Sequence, residues 1–211
     1  MNRSLFVTLL AFALVIQAVP SAGANDHGSE RNPVAYAIGD SVLLGARRAL
    51  QDWGIAVDAV EGRQPKRLRG AVDGLPNDGR PIVVHLGTNG LFGDKTCQQL
   101  QEAADGERDV VLVTVRAPRR WVSNSNDAIR ACANNFQHST AVVVPWHRIA
   151  AVHSHLLYSD GIHLRPEGAG VFVDLIRQRL GLCRKVKRLP GGKRRAQVGQ
   201  VCEPAVTAKS R

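Results

Sequence analysis

The serine in Gly39-Asp40-Ser41 lies where a buried strand is expected to turn into a helix. The apolar run 34–38 predicts the strand, and apolar residues recur at helical spacing over 43–53. A strand, a tight turn and a helix would expose the Ser41 hydroxyl at the carboxyl edge of a parallel sheet. Serine is also a common helix cap, so this stretch alone does not separate a nucleophile from a cap.

The segment Asp160-Gly161-Ile162-His163 supplies the groups that a serine nucleophile needs. A serine hydroxyl is a weak nucleophile and requires a base, which His163 can provide, while Asp160 can orient the imidazole. The tetrahedral intermediate also needs hydrogen-bond donors for its oxyanion. We expect these from the backbone N–H groups of Ser41 and Gly62 and from the side-chain amide of Asn89.

Apolar runs and amphipathic segments alternate along the chain and predict an α/β fold. Strands are expected at 34–38, 55–60, 82–86, 110–115 and 141–144, and helices at 43–53, 66–75, 96–104, 125–134 and 166–180. Five apolar strands, each flanked by helices, indicate a parallel sheet covered on both faces, which is a three-layer α/β/α sandwich. Four loops at the carboxyl ends of these strands carry the polar motifs 39–41, 61–64, 87–90 and 160–163.

These motifs resemble, in order, the four blocks of the SGNH (GDSL-type) hydrolases and acyltransferases. The blocks are Gly39-Asp40-Ser41-Val42, Gly62, Gly87-Thr88-Asn89 and Asp160-x-x-His163. The resemblance implies a flavodoxin-like five-stranded parallel sheet, no cofactor and a serine-linked acyl intermediate. It assigns Ser41 as nucleophile, His163 as base and Asp160 as its orienting acid, with Gly62 and Asn89 as oxyanion donors.

Longer motifs are similar to the extracytoplasmic C-terminal domain of peptidoglycan O-acetyltransferases over roughly residues 33–180. They are Gly62-Arg63-Gln64, Gly87-Thr88-Asn89-Gly90, Val115-x-Ala117-Pro118-Arg119-x-Trp121 and Asp160-Gly161-Ile162-His163-Leu164. This resemblance implies that the substrate is an acetylated glycan or a small ester. We expect Arg63, Thr88, Gly90 and Trp121 to contact it, with Trp121 stacking on a sugar.

Two departures from that family change the expectation. Those acetyltransferases carry a multi-helix membrane module, which this sequence lacks, so a separate membrane protein would supply acyl groups or water would accept them. The fifth strand ends in Pro145-Trp146-His147, where the relatives usually have aspartate before the tryptophan. This difference leaves the catalytic set intact and is expected to alter the substrate-side wall.

The termini differ in character from the central domain. Residues 1–24 combine Arg3, an apolar run over 5–19 and a small-x-small site at 22–24, which predicts a cleaved signal peptide. Residues 25–183 would then form an exported SGNH domain, periplasmic, secreted or wall-associated, whose first residues, 25–32, are polar and expected to be disordered. The run 5–19 is short for a membrane span.

The basic charge is concentrated at the C-terminus. The formal charge is +10 with a pI near 10.2, and residues 184–211 hold nine Lys and Arg against Glu203. We expect a disordered tail that is either simply solvated or binds anionic envelope polymers or lipid headgroups. Specific nucleic-acid binding is not expected.

The four cysteines allow three pairings in an oxidising compartment. Proximity in sequence favours Cys183–Cys202, which leaves Cys97 with Cys132. The second pair would join opposite ends of two helices that run in the same direction, on the order of 15 Å apart by helical rise, so it remains open, with Cys132–Cys183 as the alternative.

Two further groups of residues have competing interpretations. The histidines 147, 153, 155 and 163 are close in sequence, but no HExxH or paired-cysteine motif accompanies them and no metal site is expected. Arg116, Arg119, Arg120 and Trp121 either line a glycan groove or form a solvated loop. The competing function for the whole domain is a catalytically silent wall-polysaccharide-binding module of the same fold.

Overall fold

A computed structural model of the protein describes residues 32–104, 107–136, 139–188 and 194–201. The signal peptide expected at 1–24, the polar segment up to residue 31 and the last residues from Cys202 onward lie outside this part. Within the described ranges, no helix is both long and apolar enough to cross a bilayer.

Five parallel strands form the central sheet in the order β2-β1-β3-β4-β5, which confirms the predicted fold class. They are β1 (Ala35–Gly39), β2 (Ile55–Ala59), β3 (Ile82–His85), β4 (Val110–Val113) and β5 (Ala141–Val144). Every residue of β1, β3 and β4 is buried, as expected for strands covered on both faces. Gly39 pairs with both Ala59 and His85, so β1, β2 and β3 end side by side.

Helices cover both faces of the sheet. They are α1 (Ser41–Gly45), α2 (Arg47–Gln51), α3 (Leu68–Val72), α4 (Asp94–Ala104), α5 (Val122–Asn134), α6 (Trp146–Val152) and α7 (Pro166–Arg179). Apolar residues of α1, α2 and α7 pack on one face, around Leu50 and Phe172. Those of α3, α4 and α5 pack on the other, around Leu100 and Ile129. Alternating residues of β1, β3, β4 and β5 contribute to the two cores, whereas β2 contributes to the first core only.

The helix boundaries differ from the sequence prediction at three places. The expected helix 43–53 is two helices, because the Ala46 N–H turns back to the carbonyl of Leu43 and breaks the regular pattern after Gly45. The helix expected at 66–75 starts as a 3₁₀ turn, Pro65–Arg67, and α3 ends at Val72. Helix α6 was not predicted, because its seven residues are too few for a clear periodic signal.

Cys97 and Cys132 form a disulfide with 5.6 Å between their Cα atoms, so the distance expected from sequence is wrong. That expectation assumed that the two helices start level, but they are offset along their axes. The Phe92 N–H donates to Ser125 Oγ, and Gln101 Nε2 donates to the Asn135 carbonyl. Residue 97 therefore lies level with residue 132. This bond excludes Cys132–Cys183, while the favoured Cys183–Cys202 pair stays a prediction because Cys202 lies outside the described residues.

The chain after α7 contains an antiparallel hairpin, β6 (Leu182–Arg188) and β7 (Arg194–Val201). The prediction of a disordered tail from residue 184 is wrong for these strands. The sequence between them contains Pro190-Gly191-Gly192, which is typical of a turn, but the density of Lys and Arg around it favoured disorder instead.

Candidate active site

The nucleophile turn, residues 39–42, is fixed by the fold beneath it. A Cβ on Gly39 would collide with the Leu43 side chain, so the close approach of strand and helix requires glycine. Asp40 caps α1: its Oδ1 accepts a hydrogen bond from the Val42 N–H at 3.0 Å. Ser41 therefore starts the helix, with its hydroxyl at the carboxyl edge of the sheet.

Ser41, His163 and Asp160 form a continuous hydrogen-bonded chain. His163 Nε2 lies 3.1 Å from Ser41 Oγ, and His163 Nδ1 lies 2.6 Å from Asp160 Oδ2. The other carboxylate oxygen, Oδ1, accepts the N–H groups of Ile162 and His163 at 2.8 and 3.0 Å. The geometry suits a serine nucleophile, a histidine base and an orienting carboxylate.

Backbone hydrogen bonds hold the catalytic loop, residues 157–165, that carries Asp160 and His163. Leu157 and Leu164 form an antiparallel bridge, and the Tyr158 N–H donates to the His163 carbonyl at 2.9 Å. The loop turns tightly at Gly161, which has a φ of +67°. It is closed by the Arg165 N–H, which donates to the Leu156 carbonyl. The side chains of Asp160 and His163 are therefore presented by a closed loop.

Hydrogen bonds to the partly exposed carboxylate of Asp160 favour its ionised form. The bond from His163 lowers the pKa of the Asp160 carboxyl, and it outweighs partial burial, which acts in the opposite direction. The two backbone N–H groups lower the pKa further. Asp160 is therefore an acceptor at neutral pH and can stabilise a positive charge on His163.

A cleft of about 470 Å³ opens beside the nucleophile. Its lining consists of Ser41, Leu44, Gly45, Glu61, Gly62 and His163. Gly62 has a φ of +67° and open space where a side chain would start, so a ligand can approach its backbone closely. Asn89 Nδ2 has no hydrogen-bond partner in the described part of the chain. A free amide donor fits the oxyanion role predicted for Asn89, which stays a prediction.

Sequence reasoning missed a buried ionisable pair beneath the nucleophile turn. His85 Nδ1 lies 3.3 Å from Asp40 Oδ1, outside hydrogen-bonding alignment, and both side chains are fully buried. Burial alone would raise the pKa of Asp40, but the attraction of His85 and the Val42 N–H bond lower it below its ordinary value. The position of His85 at the end of an apolar strand does not indicate, from sequence alone, that its side chain contacts Asp40.

The four residues predicted to contact substrate lie in different settings. The Arg63 guanidinium is bound to the Asp58 carbonyl and carboxylate, both at 2.7 Å. Thr88 is buried, and Gly90 faces Pro65. The Trp121 indole donates to the Gly87 carbonyl at 3.0 Å and leaves part of its ring exposed. Substrate contact by these residues stays a prediction.

Two other expectations concern the segment at the end of β5 and a possible metal site at the histidines 147, 153, 155 and 163. Trp146 is fully buried and packs edge-on against Phe172, with ring centroids 5.2 Å apart. Trp146 therefore belongs to the core, and the expected effect of Pro145 on a substrate-side wall stays a prediction. In the described ranges, no group of three or more His, Cys, Asp or Glu residues has the geometry to hold a metal ion.

The sequence is similar to curated peptidoglycan O-acetyltransferases. It is 33% identical over 147 residues to O-acetyltransferase OatA of Staphylococcus aureus and 30% identical over 145 residues to peptidoglycan O-acetyltransferase OatA of Listeria monocytogenes. The matched segment has the fold of the SGNH hydrolases, and we call it the SGNH domain. Each match covers 66% of this chain but only 24% and 23% of the respective relative, so the SGNH domain spans about a quarter of their length. No family profile matches the chain.

Solved structures share the fold of the SGNH domain. The C-terminal catalytic domain of Streptococcus pneumoniae OatA superposes with a TM-score of 0.61 at 20% identity, covering 70% of this chain and 92% of that one. A GDSL-like lipase from Bacteroides thetaiotaomicron gives 0.56 at 19% identity, covering 69% and 86%. At these identities the likeness establishes the three-layer fold.

Proposed function

We propose that this SGNH domain is a serine-dependent acyl hydrolase or acyltransferase that acts on O-acetyl groups of a cell-envelope glycan. The hydrogen-bonded chain from Ser41 through His163 to Asp160 carries this proposal. The curated relatives, which are named as peptidoglycan O-acetyltransferases, support the choice of acetyl group and glycan.

The geometry supports a two-step acyl transfer. Ser41 Oγ attacks the ester carbonyl while His163 Nε2 takes its proton, and the donors of Ser41, Gly62 and Asn89 receive the developing oxyanion. The intermediate collapses, His163 protonates the departing oxygen, and the acyl group stays on Ser41. In the second step His163 deprotonates water or a sugar hydroxyl, which attacks the acyl-serine and releases Ser41.

The exposure of the site supports a polymeric substrate. The side chains of His163 and Asp160 are 48% and 43% exposed, so the reacting groups lie at the surface and not in a deep cavity. A glycan chain can therefore lie across the nucleophile while only its acetyl group enters the cleft beside Leu44 and Gly45. The competing hypothesis, a silent wall-binding module, gives no reason for an assembled triad.

The cellular setting is part of the same proposal. The pattern of residues 1–24 supports export to the periplasm or cell exterior. A separate membrane protein that delivers acyl groups is the proposed partner of the domain. The excess of Lys and Arg in 184–211 supports association with anionic envelope polymers.

Product analysis with a chromogenic acetyl ester tests this function. We expect wild-type protein to release acetate without an acceptor or to form an O-acetylated oligosaccharide with one, and we expect Ser41→Ala to do neither. The distribution between water and sugar identifies the reaction as hydrolysis or transfer. Absence of any acetyl turnover by folded wild-type protein would contradict the proposal and favour the binding module.

A further inference from the structure

The catalytic loop borders a second cleft, separate in its lining from the one beside Ser41. We call it the Arg116 pocket; its volume is about 380 Å³, and it is lined by Arg116, Ala150, Ser154, His155, Leu157, Tyr158, Ser159, Gly161 and Arg165. Tyr158, Ser159 and Gly161 belong to the loop that presents Asp160 and His163. A group held in this pocket would therefore be a close neighbour of the triad.

The lining of the Arg116 pocket is suited to negative charge. Two arginines and His155 line it together with three hydroxyl-bearing residues, and none of the described residues that line it is acidic. Guanidinium groups bind carboxylate and phosphate through paired N–H donors, and hydroxyls add further donors.

The two arginines of the pocket keep their charge available. Some of the other arginines are paired, such as Arg63 with Asp58 and Arg177 with Asp174. Arg116 and Arg165 form no ion pair within the described part of the chain.

Arg165 is already held in place without an anion. Its Nε donates to the Leu157 carbonyl at 2.9 Å, and its guanidinium lies 5.3 Å from the centre of the Tyr158 ring. These contacts orient the group but leave its charge uncompensated, so less side-chain entropy is lost when an anion binds.

Asp160 is the acidic residue nearest in sequence to the lining, and its oxygens are already engaged. They accept hydrogen bonds from the His163 ring and from the N–H groups of Ile162 and His163. The triad therefore does not supply the counter-ion of the Arg116 pocket.

We propose that the Arg116 pocket binds an anionic substituent, a carboxylate or a phosphate, of the glycan that reacts at Ser41. The inference builds on the proposed function, because it takes the occupant to be part of the same substrate. Glycans with a charged group near the reacting sugar would be selected over neutral ones, and the anchored group would fix which hydroxyl or ester lies over the nucleophile.

Binding to Ser41→Ala protein tests the pocket without relying on turnover. Calorimetric titrations would use a muramic acid disaccharide with its free lactyl carboxylate, the same disaccharide as the carboxamide, and a 6-phosphorylated form of the carboxamide. We expect one or both anionic probes to bind about tenfold more tightly than the carboxamide, in line with a charged hydrogen-bonded pair at a partly exposed site. The tighter anion identifies the source of the charge.

Matched variants locate the preference. Arg116→Gln in the Ser41→Ala background should abolish the anion preference, and Arg116→Lys should retain part of it. Arg148→Gln makes the same change of charge at an exposed residue of α6 outside the lining and should keep the preference. Equal binding of all three probes, or equal loss in the Arg116→Gln and Arg148→Gln proteins, would overturn the proposal.

Turnover separates this inference from the proposed function. With Ser41 restored, Arg116→Gln should lower the ratio of kcat/KM on a carboxylated acetyl ester to that on its neutral analogue by about tenfold. An unchanged ratio would contradict the anion site even if acetyl transfer is efficient. A protein that shows the binding preference but no acetyl turnover would instead contradict the proposed function alone.

Discussion

The two halves of the triad are held in contrasting ways. The nucleophile turn lies on the core: Asp40 and His85 are fully buried, and Gly39 contacts Leu43 too closely for any side chain. The catalytic loop presents Asp160 and His163 at the surface, and it is held by its backbone hydrogen bonds and by the buried side chains of Leu157 and Leu164. The position of Ser41 is therefore tied to global stability, whereas His163 and Asp160 can be changed without disturbing the core.

The largest effect is expected for His163 in the exposed catalytic loop, where a substitution should reduce catalysis without reducing stability. His163→Ala should lower kcat by about three to four orders of magnitude, because the base for both steps is lost. The free energy of unfolding should change by no more than about 0.5 kcal/mol, since the ring is half exposed. Steady-state kinetics and urea unfolding measure the two quantities. A large loss of stability would show that the His163 side chain supports the fold and would contradict the contrast.

Asn89→Ala should have the next largest effect. Its free amide would act mainly on the oxyanion, so kcat should fall about a hundredfold while KM changes little. Asn89→Asp, which keeps the size of the side chain but replaces the N–H donor with a negatively charged acceptor, should lower kcat at least as much. If KM alone rises, Asn89 binds substrate in the ground state and the assignment is wrong.

A glycine pair on α7 tests how the catalytic loop is supported. Gly168→Ala would place a methyl group against the Leu156 carbonyl, which also accepts the Arg165 N–H, so the loop must shift. We expect kcat to fall about tenfold and stability to fall by about 1–3 kcal/mol from overpacking. Gly170→Ala is the matched control, because its new Cβ has no atom within 4 Å. Equal changes of kcat and of the free energy of unfolding in the two variants would contradict the claim that close packing at Gly168 positions the catalytic loop.

Asp40→Asn should affect stability more than activity. The amide oxygen can still accept the Val42 N–H, but the buried charge beside His85 is lost, at a cost of about 1–3 kcal/mol near neutral pH.

The pH dependence of that cost has a defined sign. The pKa of Asp40 is lowered in the folded protein, so its carboxylate stabilises the fold above the ordinary value of 3.8 and ceases to do so as the pH falls through the lower folded value. The difference in unfolding free energy between wild type and Asp40→Asn should therefore shrink on acidification. A constant or growing difference would contradict the ionised state of the Asp40 carboxylate.

The same contrast explains what the sequence could predict. The proximity of Ser41, Asp160 and His163 could be predicted because their motifs follow apolar strands of a parallel sheet, whose carboxyl ends meet at one edge. The buried contact between Asp40 and His85 was not found, because it depends on the register that sets Gly39 opposite His85. Cys97–Cys132 was left open for a related reason, since the axial offset of α4 and α5 is set by packing and not by local spacing.

Charge also misled the sequence interpretation in one place. The density of Lys and Arg after Cys183 indicated disorder, yet β6 and β7 pair along most of their length. Backbone pairing depends on turn chemistry and strand length as well as on side-chain charge. The four predicted substrate residues cannot be ranked from sequence either, because the Arg63 pairing with Asp58 and the burial of Thr88 are tertiary features.

Trapping the acyl-enzyme tests the central claim most directly. Wild-type protein is mixed with a chromogenic acetyl ester, quenched in acid during the first turnovers and mapped by peptide mass spectrometry. The account predicts one acetyl group on the peptide that contains Ser41, and neither adduct nor turnover in the Ser41→Ala protein. Full turnover by Ser41→Ala, or a transient acetyl group on another residue that is kinetically competent, would contradict it.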